Sequence, residues 1–366
     1  MSEQEPVLAS TSPTPVYITV PAGPKRIWRG WFLISIVLAL MMCLSVGLNL
    51  LLGIAVVGKG AVENAGSITL KGYQSNLVDG EAESKEFIAV VPVQGIIMEM
   101  PSEGGEGKGS LSRLRRLLKE LKKPETLKNL KGVLLQVDSP GGGVTTSDLM
   151  YHELSEFKKE TGLPIVALFQ DLAASGGYYV AMASDHIIAH ETTLTGSIGV
   201  ISQFYNVAEL MSKVGVKVNT VKSLNFEHKE SFKDIGSPYR PMRPSEQKIF
   251  QDLVTEMWQR FTHVVAEGRK GKLSLEEVQK LADGRVYTGP QALKLKLVDS
   301  IGYPGDAYAK IRELAKTPKA KIVSFSREKG WEDLFSAQTK PPALTVIEKI
   351  MGNSEEPRML YMWDGR

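Results

Sequence analysis

The sequence predicts an α/β fold built on a parallel sheet, with a helical C-terminal part, joined to one membrane-crossing helix. Three observations carry this. Apolar, β-branched runs recur at 87–98 (FIAVVPVQGIIM), 132–137 (GVLLQV) and 164–169 (PIVALF), as strands buried on both faces require. Between them, 111–123 and 147–160 place apolar residues three and four apart, the spacing of a helix with one buried face. Strands alternating with helices pair in parallel through crossover connections. Residues 31–57 carry no charged side chain. As a helix they would run roughly 40 Å at ~1.5 Å per residue, more than the ~30 Å of a hydrocarbon core.

Taken in order, residues 1–30 read as a disordered tail, because Pro, Ser, Thr and Glu dominate and large apolar residues are few. The span 31–57 follows, with Trp28 and Trp31 suited to the membrane interface. Lys25, Arg26 and Arg29 precede it and only Lys59 closely follows, so the basic excess places the N-terminus in the cytoplasm and the rest of the chain beyond an inner (cytoplasmic) membrane, on the periplasmic or other extracytoplasmic side. Residues 58–86 are polar and read as a tether. The folded domain is expected over 87–325. Beyond the three runs above, HIIAH, SIGVIS and VKVNTV read as short strands and VAELMSKVG as a helix. A long helix is expected over 244–269, opened by Pro244 at a first-turn position. SLEEVQKLADG and GPQALKLKLVDSIG follow as short helices ending in glycine. Residues 326–366 are a C-terminal extension whose end, PRMLYMWDGR, is apolar enough to need a surface to lie on.

Composition narrows the function. With 44 basic and 41 acidic residues the net charge is +3, which signals no nucleic-acid partner. One cysteine, Cys43, lies inside the apolar run and can form neither an internal disulfide nor a zinc cluster, and no metal or other cofactor is expected.

Two glycine-containing turns could carry chemistry. In AASGGYYVAMASD, Ser175 stands between small residues after the strand at 164–169 and before a short helix. Such a serine is either an N-cap or a nucleophile flanked by unsatisfied backbone amides. In VDSPGGGV (137–144), three glycines follow another strand. They permit either a tight turn or a cluster of N–H groups aimed at an anion. A phosphate loop would need Gly-Lys-Ser/Thr, which is missing. A serine nucleophile needs a base. The five histidines, His152, His186, His190, His228 and His263, have no motif around them, whereas Lys222, Lys229 and Lys233 share one downstream loop, and a desolvated lysine can serve.

Together, VDSPGGGV, AASGGYYVAMASD, TLTGSIGV, FKDIGSPYRPM and LADGRVYTGPQALKLKLVDSIG resemble the signal peptide peptidase A family (peptidase family S49) over about 87–315. The family consists of membrane-bound serine peptidases with a Ser/Lys dyad on the Clp-protease/crotonase-like fold of stacked ββα units, and this chain resembles its short members with one catalytic unit. The resemblance implies Ser175 as nucleophile, Lys233 as general base, and the amides of Gly176 and of Gly141 or Gly142 as oxyanion donors, with 193–200 shaping the substrate groove. One departure bears on the base: the chain inserts LNFEHKE before Lys233 and has Leu224 where the family has glycine, so Lys229 stands as an alternative. The resemblance further implies signal-peptide remnants as substrates and a homo-oligomer whose dyads are completed between subunits. Three rival readings are a membrane-protein quality-control protease, a catalytically inactive membrane scaffold, and a crotonase-type enzyme acting on acyl-CoA.

Overall fold

The computed structural model describes residues 27–62, 68–100, 107, 109–223, 231–327 and 359–362. It divides into two units, Met1–Asn64 and Ala65–Arg366. The first holds one helix, α1 (Ile27–Val62). Its segment Ile34–Leu51 is long and apolar enough to cross a membrane, and none of it is buried by protein.

In the second unit the chain runs through β1 (Tyr73–Asp79), β2 (Phe87–Gln94), α2 (Ser110–Leu121), α3 (Pro124–Leu127), β3 (Leu130–Ser139), β4 (Gly141–Gly143), α4 (Val144–Thr161), β5 (Ile165–Ala174) and α5 (Gly176–Ala181). It continues through β6 (His186–Ala189), β7 (Leu194–Gly196), β8 (Ile201–Ser202), α6 (Ala208–Lys213), α7 (Pro244–Gly268), α8 (Leu275–Leu281), β9 (Val286–Thr288), α9 (Gly289–Lys294), β10 (Ser300–Ile301), α10 (Pro304–Ala315), β11 (Lys321–Arg327) and β12 (Met359–Met362).

The main sheet has the order β1-β11-β2-β3-β5-β6-β10, with β7 beside the far end of β5 and β9 beside β7. Pairing is parallel except at β1/β11 and β7/β9. The α/β, largely parallel architecture read from the sequence is therefore present. Its strands are apolar throughout because both faces are covered. Ile88, Val90, Leu134, Val166 and Leu168 meet Ala307 and Ile311 of α10 on one side. Their neighbours Ala89, Val91, Val133, Leu135 and Phe169 pack with α2, α4, α5 and α7 on the other, as a two-residue repeat dictates.

Two expectations need correcting. The tether assigned to 58–86 contains β1, which pairs antiparallel with β11 from Tyr73↔Arg327 to Asp79↔Ile322, so the sheet begins before residue 87. β1 escaped notice because it is an edge strand with mostly polar or exposed side chains. VKVNTV forms no strand; Val216, Val218 and Val221 are exposed instead of paired. The C-terminal extension expected over 326–366 contains β12, which joins β4 and β8 in a second sheet of order β4-β12-β8, so part of its apolar end does lie on the chain's own surface.

Candidate active site

The long strand β5 changes partners along its length. Val166–Phe169 pair with β6, and Leu172–Ala174 pair with β7. The strand ends at Ser175, where the chain turns sharply into α5 with φ 52 and ψ −115. A positive φ at a residue with a side chain costs about 1–3 kcal/mol and persists only where neighbours impose it. Here the Ser175 amide donates to Gly196 O at 2.8 Å, and Tyr179 N donates to Ser175 O at 2.9 Å. Behind α5, Tyr179 Oη donates to Asp148 Oδ1 at 2.5 Å, and Arg260 Nη2 reaches the same oxygen at 2.9 Å, tying α5 to α4 and α7. The Ser175 side chain makes no capping hydrogen bond. The N-cap role that the sequence left open is thus not what its hydroxyl does.

The glycine strand β4 lies against this turn. A side chain at Gly176 would sit 2.5 Å from Ser147 Oγ, 3.1 Å from Gly141 Cα and 3.2 Å from the Gly142 amide nitrogen, so β4 comes close enough here that only glycine fits without a shift. A side chain at Gly142 would sit 1.9 Å from Ile97 O. On that edge Ile97 N donates to Gly141 O and Gly143 N donates to Ile97 O, both at 2.8 Å. Backbone groups alternate direction along a strand, so the N–H and C=O of Gly142 face the opposite edge. Gly141 N instead donates to Ser139 Oγ at 3.1 Å, and Ser139 Oγ donates to Gly95 O at 2.6 Å. Of the two glycines expected as alternative donors, Gly141 is therefore committed to the turn, and Gly142 presents its amide beside Gly176.

On that opposite edge of β4 lies β12, paired antiparallel with Leu360 opposite Gly143, Tyr361 opposite Gly142 and Met362 opposite Gly141. Its other edge meets β8, with Leu360 opposite Ile201. Between β4 and β8, beside Ser175, there is thus a slot one extended strand wide.

The lysine loop is anchored elsewhere. Lys222 Nζ donates to Asp234 Oδ1 at 2.6 Å and to Ser231 O at 3.3 Å, so its amine is engaged within the loop. Lys229 lies outside the described residues. Lys233 is exposed, and its backbone N–H bonds Ser231 Oγ at 3.3 Å. Among the described residues no hydrogen bond joins Lys233 to Ser175 within one chain. Sequence reasoning passed over the charges round this loop. Arg240 Nε meets Asp234 Oδ2 at 2.8 Å, and both Arg240 and Arg243 reach Glu246 Oε1 at 2.5 Å. The signal was there: a glutamate two residues after Pro244 stands where a capping-box carboxylate belongs.

The profile of peptidase family S49 matches residues 157–318, a stretch that includes both Ser175 and Lys233. A protein of Enterococcus faecium named signal peptide peptidase SppA is 34% identical over 83% of this chain and 91% of its own length. A protein of Methanocaldococcus jannaschii named as a protease is 33% identical over 72% and 80%. The chloroplastic serine protease SPPA of Arabidopsis thaliana is 33% identical over 60% of this chain and 32% of its own. On this likeness, which runs along nearly the whole of the Enterococcus relative, the chain belongs to peptidase family S49 and is a serine protease.

Proposed function

We propose that this protein is a membrane-anchored endopeptidase that cuts extended, unfolded peptides, remnant signal peptides foremost, with Ser175 as nucleophile and Lys233 of a neighbouring copy as base. The observation that carries the reading is the slot between β4 and β8, in which a strand of this chain lies extended against Gly142, next to the Ser175 turn. An extended substrate would enter the same way, held by main-chain bonds that ignore sequence, while folded proteins would not.

In this reading the neutral Lys233 amine takes the Ser175 proton and the alkoxide attacks the scissile carbonyl. The amides of Gly142 and Gly176 then hold the oxyanion, at ~10²–10³-fold in rate per donor. Lys233 next protonates the leaving amine, and water releases the acyl-enzyme. Two features favour a base supplied by a second copy. Lys233 is exposed in the single chain, and the stretch that carries it also exposes the large apolar side chains of Tyr205, Leu210, Val214, Val221 and Tyr239, which another subunit would cover. The stacked ββα units of the crotonase-like fold and an extracytoplasmic catalytic domain behind α1 belong to the same proposal.

The test uses the full chain in detergent micelles. Unfolded peptides with a signal-peptide-like apolar segment should be cleaved, while a folded globular protein at equal concentration stays intact; equal cutting of both would overturn the reading. Because β12 occupies the slot, deletion of residues 359–366 should raise kcat/KM for such peptides about tenfold, as expected for losing a competitor tethered at ~mM effective concentration. An unchanged kcat/KM would mean that β12 does not compete with substrate.

A further inference from the structure

The main sheet opens at one end. β11 and β2 run side by side from Lys321↔Phe87 to Ser324↔Val90 and then part, Phe325–Arg327 continuing beside β1 and Val91–Gln94 beside β3. Between the parted strands and α2 lies a cavity of about 330 Å³, near the lower end of the range for ligand pockets. Its floor is apolar: Val91, Leu114, Leu117, Met150 and Phe325 line it, and all are buried. Three arginines line it as well. Arg113 and Arg116 stand one turn apart on α2, and Arg327 lies opposite Tyr73 in the β1/β11 pair. Arg116 donates to Gly107 O at 3.2 Å and bonds the Tyr73 hydroxyl. Arg113 and Arg327 are exposed, and Arg113 Nη2 has Ser110 Oγ at 3.5 Å. Among the described residues no carboxylate lines the cavity, and neither Arg113 nor Arg327 makes an ion pair. The nearby acids are engaged: Glu120 accepts from Lys123 Nζ at 2.7 Å and Lys71 N at 3.3 Å, and Glu99 accepts from Ser112 N at 3.2 Å.

An apolar floor beside guanidinium groups that lack a matching anion is complementary to an acid with an apolar tail. The arginine fork pairs with a carboxylate through two parallel N–H bonds, and the tail gains by leaving water. We propose that this cavity binds a carboxylate carried on a short apolar tail, with Arg113 and Arg327 holding the acid and Leu114, Leu117 and Phe325 receiving the tail. Arg116, turned to Tyr73, forms the wall between them. Burial raises the Tyr73 pKa above its usual value although Arg116 and Arg327 oppose it, so the phenol keeps its proton and remains a donor. The volume suits a single large apolar side chain or a short aliphatic chain. Two sources supply such an acid: the C-terminal end of a peptide that finishes on an apolar residue, and a short fatty acid. None of the lining residues belongs to the slot between β4 and β8, so the site is separate from the one beside Ser175.

Binding is measured by titration calorimetry on the full chain in detergent micelles, carrying Ser175→Ala so that no peptide is cut and the result is independent of the dyad. The probes are an acetylated tripeptide acid ending in phenylalanine, the same tripeptide as its C-terminal amide, octanoate and octanamide. An acid should bind, and its matching amide should bind about tenfold more weakly or worse, because the charge-assisted bonds to arginine are lost. Adding Arg113→Gln with Arg327→Gln should bring the acid down to the level of the amide. Binding of the tripeptide acid without octanoate assigns the site to peptide ends, and the reverse assigns it to fatty acids. Acid and amide binding alike, no binding of either acid, or parent-like binding by the double variant would overturn the proposal. So would displacement of the acid by an amidated substrate peptide, which would put the acid in the slot. If the double variant does not fold, each single variant should still weaken the acid and leave the amide unchanged.

Discussion

Ser175→Ala is expected to lower kcat/KM for an extended apolar peptide by about 10⁴-fold or more, because the alkoxide has no substitute and only binding and the oxyanion donors are left. The fold should survive. The Ser175 hydroxyl makes no capping bond, and the turn is held by backbone contacts, Ser175 N to Gly196 O and Tyr179 N to Ser175 O, which alanine retains. Alanine at φ 52 bears the same kind of steric cost as serine, so little stability should change. Peptide turnover measured beside a circular-dichroism melt checks both halves. Loss of activity with an unchanged melting temperature is the expected pair, and full turnover would remove Ser175 from the chemistry.

Lys233→Ala should cost ~10²–10⁴-fold in kcat, the usual worth of a general base, with KM little changed. Lys233→Arg should be equally inactive, because a guanidinium does not lose its proton near neutrality. That second variant separates two roles. If Lys233 served only as a positive charge, arginine would preserve most of the activity. Lys222 offers no replacement, since its ammonium is already bonded to Asp234.

The elements legible in the sequence were those whose physics is local. β2, β3 and β5 announce themselves because strands covered on both faces must be apolar throughout. α7 shows its first turn through Pro244. β1 was hidden because it is an antiparallel edge strand whose polar side chains meet water. VKVNTV misled for the opposite reason: its alternation is real, but among the described residues it pairs with no strand, and Val221 is 97% exposed.

At the site, the small residues round Ser175 marked a close backbone approach, and the structure leaves no room for a side chain at Gly176 beside the Gly141–Gly142 backbone. Which glycine amide faces the slot was not legible. It depends on Ser139 Oγ and Ile97 O, brought to β4 from separate turns. The Lys222–Asp234 pair was hidden likewise, because its partners stand twelve residues apart in the sequence. The apolar C-terminus was visible as a segment in need of a surface, but that the surface is β4 emerges only from strand pairing.

The central claim, a nucleophile on one copy served by an amine from the next, is tested most directly by mixing two inactive variants. Ser175→Ala and Lys233→Ala chains, each without activity alone, are co-assembled in equal amounts and assayed on one unfolded peptide. In a closed ring with sites between subunits, random pairing should restore about a quarter of the parent turnover per chain. A mixture as inactive as its components, in an assembly shown to contain both chains, would contradict a dyad shared between copies.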